Sequence, residues 1–279
     1  MPATKQSVRR KDEVGPRAGD VESERRAGTL ILTLARPDRR NSLSEAMLSA
    51  LHNAIEKASR DPGVRVVVIA AKGAAFCAGH DLKELSARRS DADGGRAYYA
   101  MIMRRCAEMM RAIVRCSKPV IAAVQGTATA AGCQLVASCD LAVAAETATF
   151  ATPGVNIGLF CSTPMIALSR NVSRKRAMEM LLLGEMLSAR AAADYGLVNR
   201  VVAPDKMMNE ALAMAALIAS KPPATLAIGK EAFYRQIEMP LAEAYDYAAG
   251  VMVMNMMHAE AKEGIGAFLE KRPAVWDKS

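Results

Sequence analysis

The chain has 279 residues, of which 51% are hydrophobic, 24% charged and 4% aromatic, with a formal net charge of +8. That length and apolar content suit one sizeable core with a helical appendage, and no apolar stretch reaches membrane-spanning length. A modest positive balance favours an anionic, phosphate-bearing ligand; no basic run interleaves with aromatics, which excludes a nucleic-acid partner from the expectation.

Residues 1–20 are polar and aperiodic and read as a disordered leader. Val21–Arg25 and Thr29–Leu34 flank Arg26-Ala27-Gly28, the pattern of a hairpin. Ser44 is placed to cap a helix whose apolar face is Met47, Leu48, Leu51 and Ile55. Val64–Ala70 is a β-branched run expected to be a buried parallel strand. The small-residue loop 73–79 then leads into a helix after Asp81. Tyr98–Val114 reads as a helix and Val120–Val124 as another buried strand. Gly126–Gly132 is a second loop of tiny residues, followed by helical Cys133–Ser138 and the strand Asp140–Ala145. Strand and helix alternate, which is an α/β layout. From Ser173 helices dominate, with one short strand at Leu197–Val202. Lys221-Pro222-Pro223 separates three last helical stretches, 224–237, 240–258 and 260–270. The division is therefore a leader at 1–20, a core at 21–220 and a helical region at 221–279.

Cys77, Cys106, Cys116, Cys133, Cys139 and Cys161 form no CxxC pair, and only three histidines accompany them. No metal site is expected; the cysteines read as reduced, buried thiols of a cytoplasmic protein. Both glycine-rich loops open helices. Unpaired N–H groups and the helix dipole favour partial negative charge at such a point, and small residues let a ligand approach the backbone. Two such points facing one atom would bind a carbonyl oxygen and stabilise an enolate.

Several strings have a family pattern. Leu34-Ala35-Arg36-Pro37-Asp38-Arg39-Arg40-Asn41-Ser42-Leu43 resembles the LxRPxxxNAL opening of the enoyl-CoA hydratase/isomerase (crotonase) family. Phe76-Cys77-Ala78-Gly79-His80-Asp81-Leu82-Lys83-Glu84-Leu85 is similar to its FCAGADLKEM segment, and Lys118–Gly126 to its KPVIAAVNG. Ala131-Gly132-Cys133-Gln134-Leu135 with Cys139-Asp140 resembles GGGCEL…CD, and residues 262–272 resemble its EGxxAFLEKR ending. The resemblance implies an α/β fold, a spiral of β-β-α units with a C-terminal helical trimerisation module, assembled as a homotrimer or homohexamer. It implies acyl-CoA or enoyl-CoA thioesters as partners in fatty acid metabolism, with no cofactor beyond the coenzyme A of the substrate. The backbone N–H groups of His80 and Ala131 would form the oxyanion hole. Arg36, Arg39, Ala78, His80, Asp81 and Leu82 would lie near the nucleotide and pantetheine, with Phe268 and Lys271 reaching the adenine.

The chain departs from that pattern where hydration needs it most. The family's hydratases use two glutamates, one to activate water and one to protonate the α-carbon. Their positions here are Gln134 and Gly154. Gln can hold water but has no carboxylate to take its proton, and Gly154 has no side chain. The expectation is an enoyl-CoA hydratase-like protein of the lyase/isomerase class that binds the thioester and stabilises an enolate, with standard hydration weak or absent. The alternative is a non-catalytic acyl-CoA-binding protein. His80, where the family has a small residue, is a candidate acid or base, and a bound water or anion is a candidate occupant of a gap at Gly154.

Overall fold

The computed structural model describes residues 20–276. The expected leader therefore lies outside the described residues, except for Asp20, which belongs to the core. Asp20 is buried, its carbonyl accepts from Ala35 N at 2.9 Å, and its carboxylate stands 3.7 Å from Arg36 Nε.

Strands β1 (Val21–Arg26) and β2 (Thr29–Leu34) form the expected hairpin. Its two-residue turn, Ala27-Gly28, has positive φ at both positions, the geometry that matches strand twist. Helix α1 (Glu45–Arg60) starts at Ser44, whose side chain accepts from Met47 N. Then come β3 (Val66–Ala71), β4 (Ala75–Cys77), α2 (Leu82–Ala87), α3 (Arg96–Arg115), β5 (Val120–Val124), β6 (Thr127–Thr129) and α4 (Ala131–Ser138). They are followed by β7 (Leu141–Ala145), β8 (Thr149–Ala151), α5 (Pro164–Leu168), α6 (Arg174–Leu183), β9 (Leu187–Ser188), α7 (Ala189–Asp194), β10 (Arg200–Val202) and α8 (Met207–Ala219). The chain ends in α9 (Pro223–Gln236), α10 (Leu241–Met256) and α11 (Ala259–Leu269).

Successive turns of the chain deposit strands alternately in two sheets. The larger has the order β1-β2-β3-β5-β7-β10 and the smaller β4-β6-β8-β9. From β2 to β10 the larger sheet is parallel. β3, β5 and β7 are each followed by a short strand of the smaller sheet and then a helix, a repeat of β-β-α units. Val66–Ile69 and Val120–Val124 are wholly buried, because helices cover both faces. On one side α8 seats Met207, Ala211 and Met214 against Ile31, Val68 and Val143. On the other, α1 and α3 supply Leu51, Ile55, Met109 and Ile113. The two loops of tiny residues each contain a strand, β4 or β6, that composition hid.

Helices α9 to α11 bury only Ala244, Glu260 and Ala267. One buried clamp ties them to the core. Lys230 Nζ on α9 donates to Ile113 O (3.1 Å), Lys118 O (3.0 Å) and Asp140 Oδ2 (2.6 Å). Tyr234 OH donates to Asp140 Oδ1 at 2.9 Å, and Val120 N to Oδ2 at 2.6 Å. Burial, with the Asp140 charge beside it, pushes the Tyr234 phenol well above its ordinary value. Removing one partner strands the other charge away from water. Lys230→Met is therefore expected to lower unfolding free energy by about 3 kcal/mol, and Tyr234→Phe by about 1 kcal/mol, in urea titrations. Equal, negligible effects would show that the clamp holds nothing.

Candidate functional site

The segment 36–44 is locked against the first glycine-rich loop by Asn41. Its Nδ2 donates to Lys72 O (2.9 Å) and Ala75 O (2.8 Å), while its Oδ1 accepts from Arg36 N (2.9 Å). Arg40 and Asn41 both take positive φ to make this turn. Beyond it, Leu43 N donates to Gly79 O at 2.7 Å, and Leu43 bridges His80 in parallel register. The motif is therefore a staple that fixes where the first loop runs.

The second loop interlocks with the first through two glycines. Gly79 has φ +91°, and a Cβ there would stand 3.0 Å from Ala130 Cβ, 3.1 Å from Thr129 O and 3.3 Å from Ala131 N. At Gly132 a Cβ would overlap the Cys77 carbonyl. The backbones at 79–80 and 130–132 thus lie side by side. Ala130 sits at φ 50°, ψ −118° as the residue before α4, without a capping side chain. Strain of that kind persists only where surrounding structure enforces it. Here Ala130 N donates to Ala151 O at 2.9 Å, and Gln134 N donates to Ala130 O at 3.0 Å. The first-turn N–H groups of α4, beginning with Ala131, have no capping side chain, and they open beside His80.

A cavity of about 410 Å³ adjoins this point, lined by Asp38, Arg39, Arg40, Ser42, His80, Asp81, Leu82 and Lys83. Of the residues expected at the nucleotide and pantetheine, Arg39, His80, Asp81 and Leu82 share it. Asp38, Arg40, Ser42 and Lys83 line it too and were not anticipated. Arg36 does not line it and faces Asp20 instead. Ala78 gives its N–H to Arg40 O (3.1 Å) and accepts from Thr129 Oγ1 (3.2 Å). Asp81 also has a structural role: its carboxylate caps α2, accepting from Lys83 N and Glu84 N. Phe268 is 83% exposed and Lys271 has φ 55°; both lie at the end of α11, outside the cavity lining.

Gln134 is buried on the first turn of α4, and its Oε1 has no hydrogen-bond partner. His80 has neither ring nitrogen satisfied. Burial lowers its pKa, against a smaller raising effect from the Leu43 backbone. Position 154 is not a gap. A Cβ on Gly154 would meet Leu159 O at 2.6 Å and Cys161 Sγ at 2.9 Å, and Leu159 N donates to Gly154 O at 2.9 Å. The following loop has closed over the place of the second glutamate, which corrects the expectation of room there for water or an anion. Burial raises the Cys161 thiol, opposed in part by a hydrogen bond from the Gly154 backbone, and pushes its neighbour Cys133 to about 12. Neither is an activated nucleophile. Sequence reasoning also missed Thr152, which is fully buried with an unpartnered hydroxyl.

Residues 24–279 match the family model for enoyl-CoA hydratase/isomerase. The chain belongs to the enoyl-CoA hydratase/isomerase family. A crystal structure of an enoyl-CoA hydratase from Mycobacterium smegmatis is 53% identical, with TM-score 0.88, covering 92% of this chain and 98% of that one. The crystal structure of human enoyl Coenzyme A hydratase domain-containing protein 3 is 44% identical, with TM-score 0.87 and coverage of 92% and 100%. The rat mitochondrial enoyl-CoA hydratase domain-containing protein 3 is 46% identical over 245 residues, 88% of this chain and 80% of its own. Its mouse, frog, human and zebrafish counterparts are likewise named mitochondrial. The cytoplasmic expectation drawn from cysteine usage is overturned by these relatives. Reduced thiols do not distinguish the cytoplasm from other reducing compartments.

Proposed function

We propose that the protein binds an acyl-CoA thioester, holds its carbonyl oxygen between the N–H groups of His80 and Ala131, and stabilises the enolate rather than running two-glutamate hydration. The observation that carries this reading is the interlock of Gly79 with Ala130 and Ala131, with α4 uncapped beside it. Two converging donors at a helix start favour the charge that develops when a thioester loses an α-proton. Arg39, Arg40 and Lys83 around the adjoining cavity supply the cations that phosphates need. No carboxylate stands at Gln134 or Gly154, and the closure over Gly154 supports the same conclusion. Non-catalytic thioester recognition is the second reading, favoured by that closure because it removes a site for a catalytic group.

The apolar side chains exposed on the C-terminal helices, among them Tyr245, Met252, Met257, Phe268 and Leu269, support a homotrimer or homohexamer, since large exposed patches mark interfaces. Calorimetric titration with butyryl-CoA and free CoA tests the binding, and light scattering of the same sample tests the assembly. Saturable binding, tighter for the thioester than for CoA, is the expected result in an oligomer. No heat at a concentration on the order of 1 mM would overturn the thioester reading, and a monomer would overturn the assembly.

A further inference from the structure

We infer that a second binding site, for a small organic dianion, lies between the end of α3 and helix α9, with Arg115 and Arg235 as its anion-binding groups. A cavity of about 560 Å³ opens there, larger than the one beside His80 and within the usual size of small-molecule sites. Its walls combine residues 114–117 with the part of α9 from Ala227 to Arg235. The two cavities share no lining residue. Topology keeps them apart. Residues 38–42 follow β2, whereas residues 114–117 precede β5. Strands β2, β3 and β5 run parallel, so the cavities open off opposite ends of the larger sheet, where a five-residue strand spans about 16 Å.

The charges that line this cavity are unevenly committed. Lys230 is fully engaged, because an ammonium has three donors and its Nζ bonds Ile113 O, Lys118 O and Asp140 Oδ2. The Tyr234 hydroxyl is likewise turned onto Asp140, which leaves its ring as part of the wall. Glu231 and Arg235 stand four residues apart on α9, the spacing at which an acid and a base ordinarily pair. Here they do not. Among the described residues, no ion pair engages Glu231, Arg235 or Arg115. Arg235 lies instead over the Tyr247 ring of α10, 4.8 Å from its centroid. Stacking of that kind holds the guanidinium plane while its N–H edge stays available.

Two uncommitted guanidiniums against one carboxylate select the ligand. Each guanidinium presents a fork of donors that matches a carboxylate or a phosphate, so two negative charges on one small molecule engage both. A phosphomonoester and a dicarboxylate share that chemistry. Glu231 repels a longer polyanion and can accept from a ligand hydroxyl. The carbonyls that end α3 disfavour an anion, but Lys230 covers Ile113 O and Arg115 lies in the same last turn. Val114, Ala227 and the Tyr234 ring complete the wall, which suits a carbon body rather than a bare ion. Helix α9 has no fully buried residue, so a ligand held by Arg115 of the core and Arg235 of α9 adds a second tie beside the Lys230 clamp.

Calorimetry of the full chain with AMP, glutarate, adenosine and inorganic phosphate tests the site, in wild type and in Arg115→Ala, Arg235→Ala and Arg39→Ala. At least one dianion, AMP or glutarate, should bind saturably and about tenfold or more tighter than adenosine or phosphate. Which of the two binds tells a phosphomonoester site from a dicarboxylate site. Arg115→Ala and Arg235→Ala should each weaken that binding about tenfold, the low end for a hydrogen bond to a charged group, while Arg39→Ala leaves it unchanged. Both cavity arginines are exposed, so the unliganded variants should melt with the wild type. No heat from either dianion at about 1 mM would sink the inference. Phosphate bound as tightly as AMP and glutarate would reduce the site to an adventitious ion only. Loss of binding in Arg39→Ala alone would move the ligand to the cavity beside His80. If either cavity variant changes the assembly in light scattering without ligand, the arginines are a contact between copies and the assignment fails.

Discussion

Wild-type protein is expected to leave the conjugated-enone absorbance of crotonyl-CoA essentially unchanged, whereas Gln134→Glu should gain measurable hydration. Each well-placed acid or base contributes about 10²–10⁴ in rate, and groups that act together are not additive. Restoring one of two therefore belongs at the low end, a gain of about 10². Gln134 is a favourable place for the change, because Glu is nearly its isostere and no hydrogen bond to Oε1 is lost. Gly154→Glu has the opposite character. Its first side-chain carbon would already press on Leu159 O and Cys161 Sγ, and overpacking of that kind costs about 1–3 kcal/mol. The double variant should thus be less stable than Gln134→Glu and no faster. Ordinary enzymatic hydration by the wild type would sink this account, and His80→Gln would then identify the replacement base.

The same contrast shows what the sequence could carry and what it could not. Regular elements were legible wherever local chemistry repeats: the Ser44 cap, the apolar face of α1 and the β-branched run of β3 each rest on neighbours in the chain. Strands β4 and β6 were hidden because each is three residues long, lies among small residues and pairs only with strands distant in the chain, β4 with β6 and β6 with β8. Composition alone makes such segments look like loops. The start of α4 moved from Cys133 to Ala131 for a related reason. Ala130 is driven into a strained backbone by the strand pairing beside it, which no propensity anticipates. At the site, the absence of a side chain at Gly154 was plain, but whether absence means a gap depends on residues 159–161. Thr152 belongs to no pattern that the sequence displays. Only its complete burial without a partner marks it out. Arg36 was assigned to the ligand by position in a motif, and its place is set by Asp20, which fell in the segment read as leader.

Gly132→Ala is expected to be the most damaging single substitution in the site. Helical glycine to alanine ordinarily stabilises, since alanine is the better helix former by about 0.8–1 kcal/mol. Here the added methyl would overlap the Cys77 carbonyl oxygen and lie 2.9 Å from Cys77 Cβ. Both atoms belong to β4, which is hydrogen-bonded to β6, and Cys77 is completely buried. No flexible side-chain end is available to swing away, so α4 or the first loop must shift as a body. Overpacking against backbone falls at or above the usual range, about 3 kcal/mol or more, which outweighs the propensity gain. Because Gly79 and Ala131 are held side by side by the same interlock, the shift also separates the two donors proposed for the thioester. Thermal unfolding should therefore show a large loss, and butyryl-CoA binding should fall with it. Gly229→Ala on α9, where an added Cβ meets nothing within 4 Å, serves as the matched control and should be neutral or stabilising. If the two substitutions behave alike, the close approach of the loops at Gly132 is not what sets the geometry of the site.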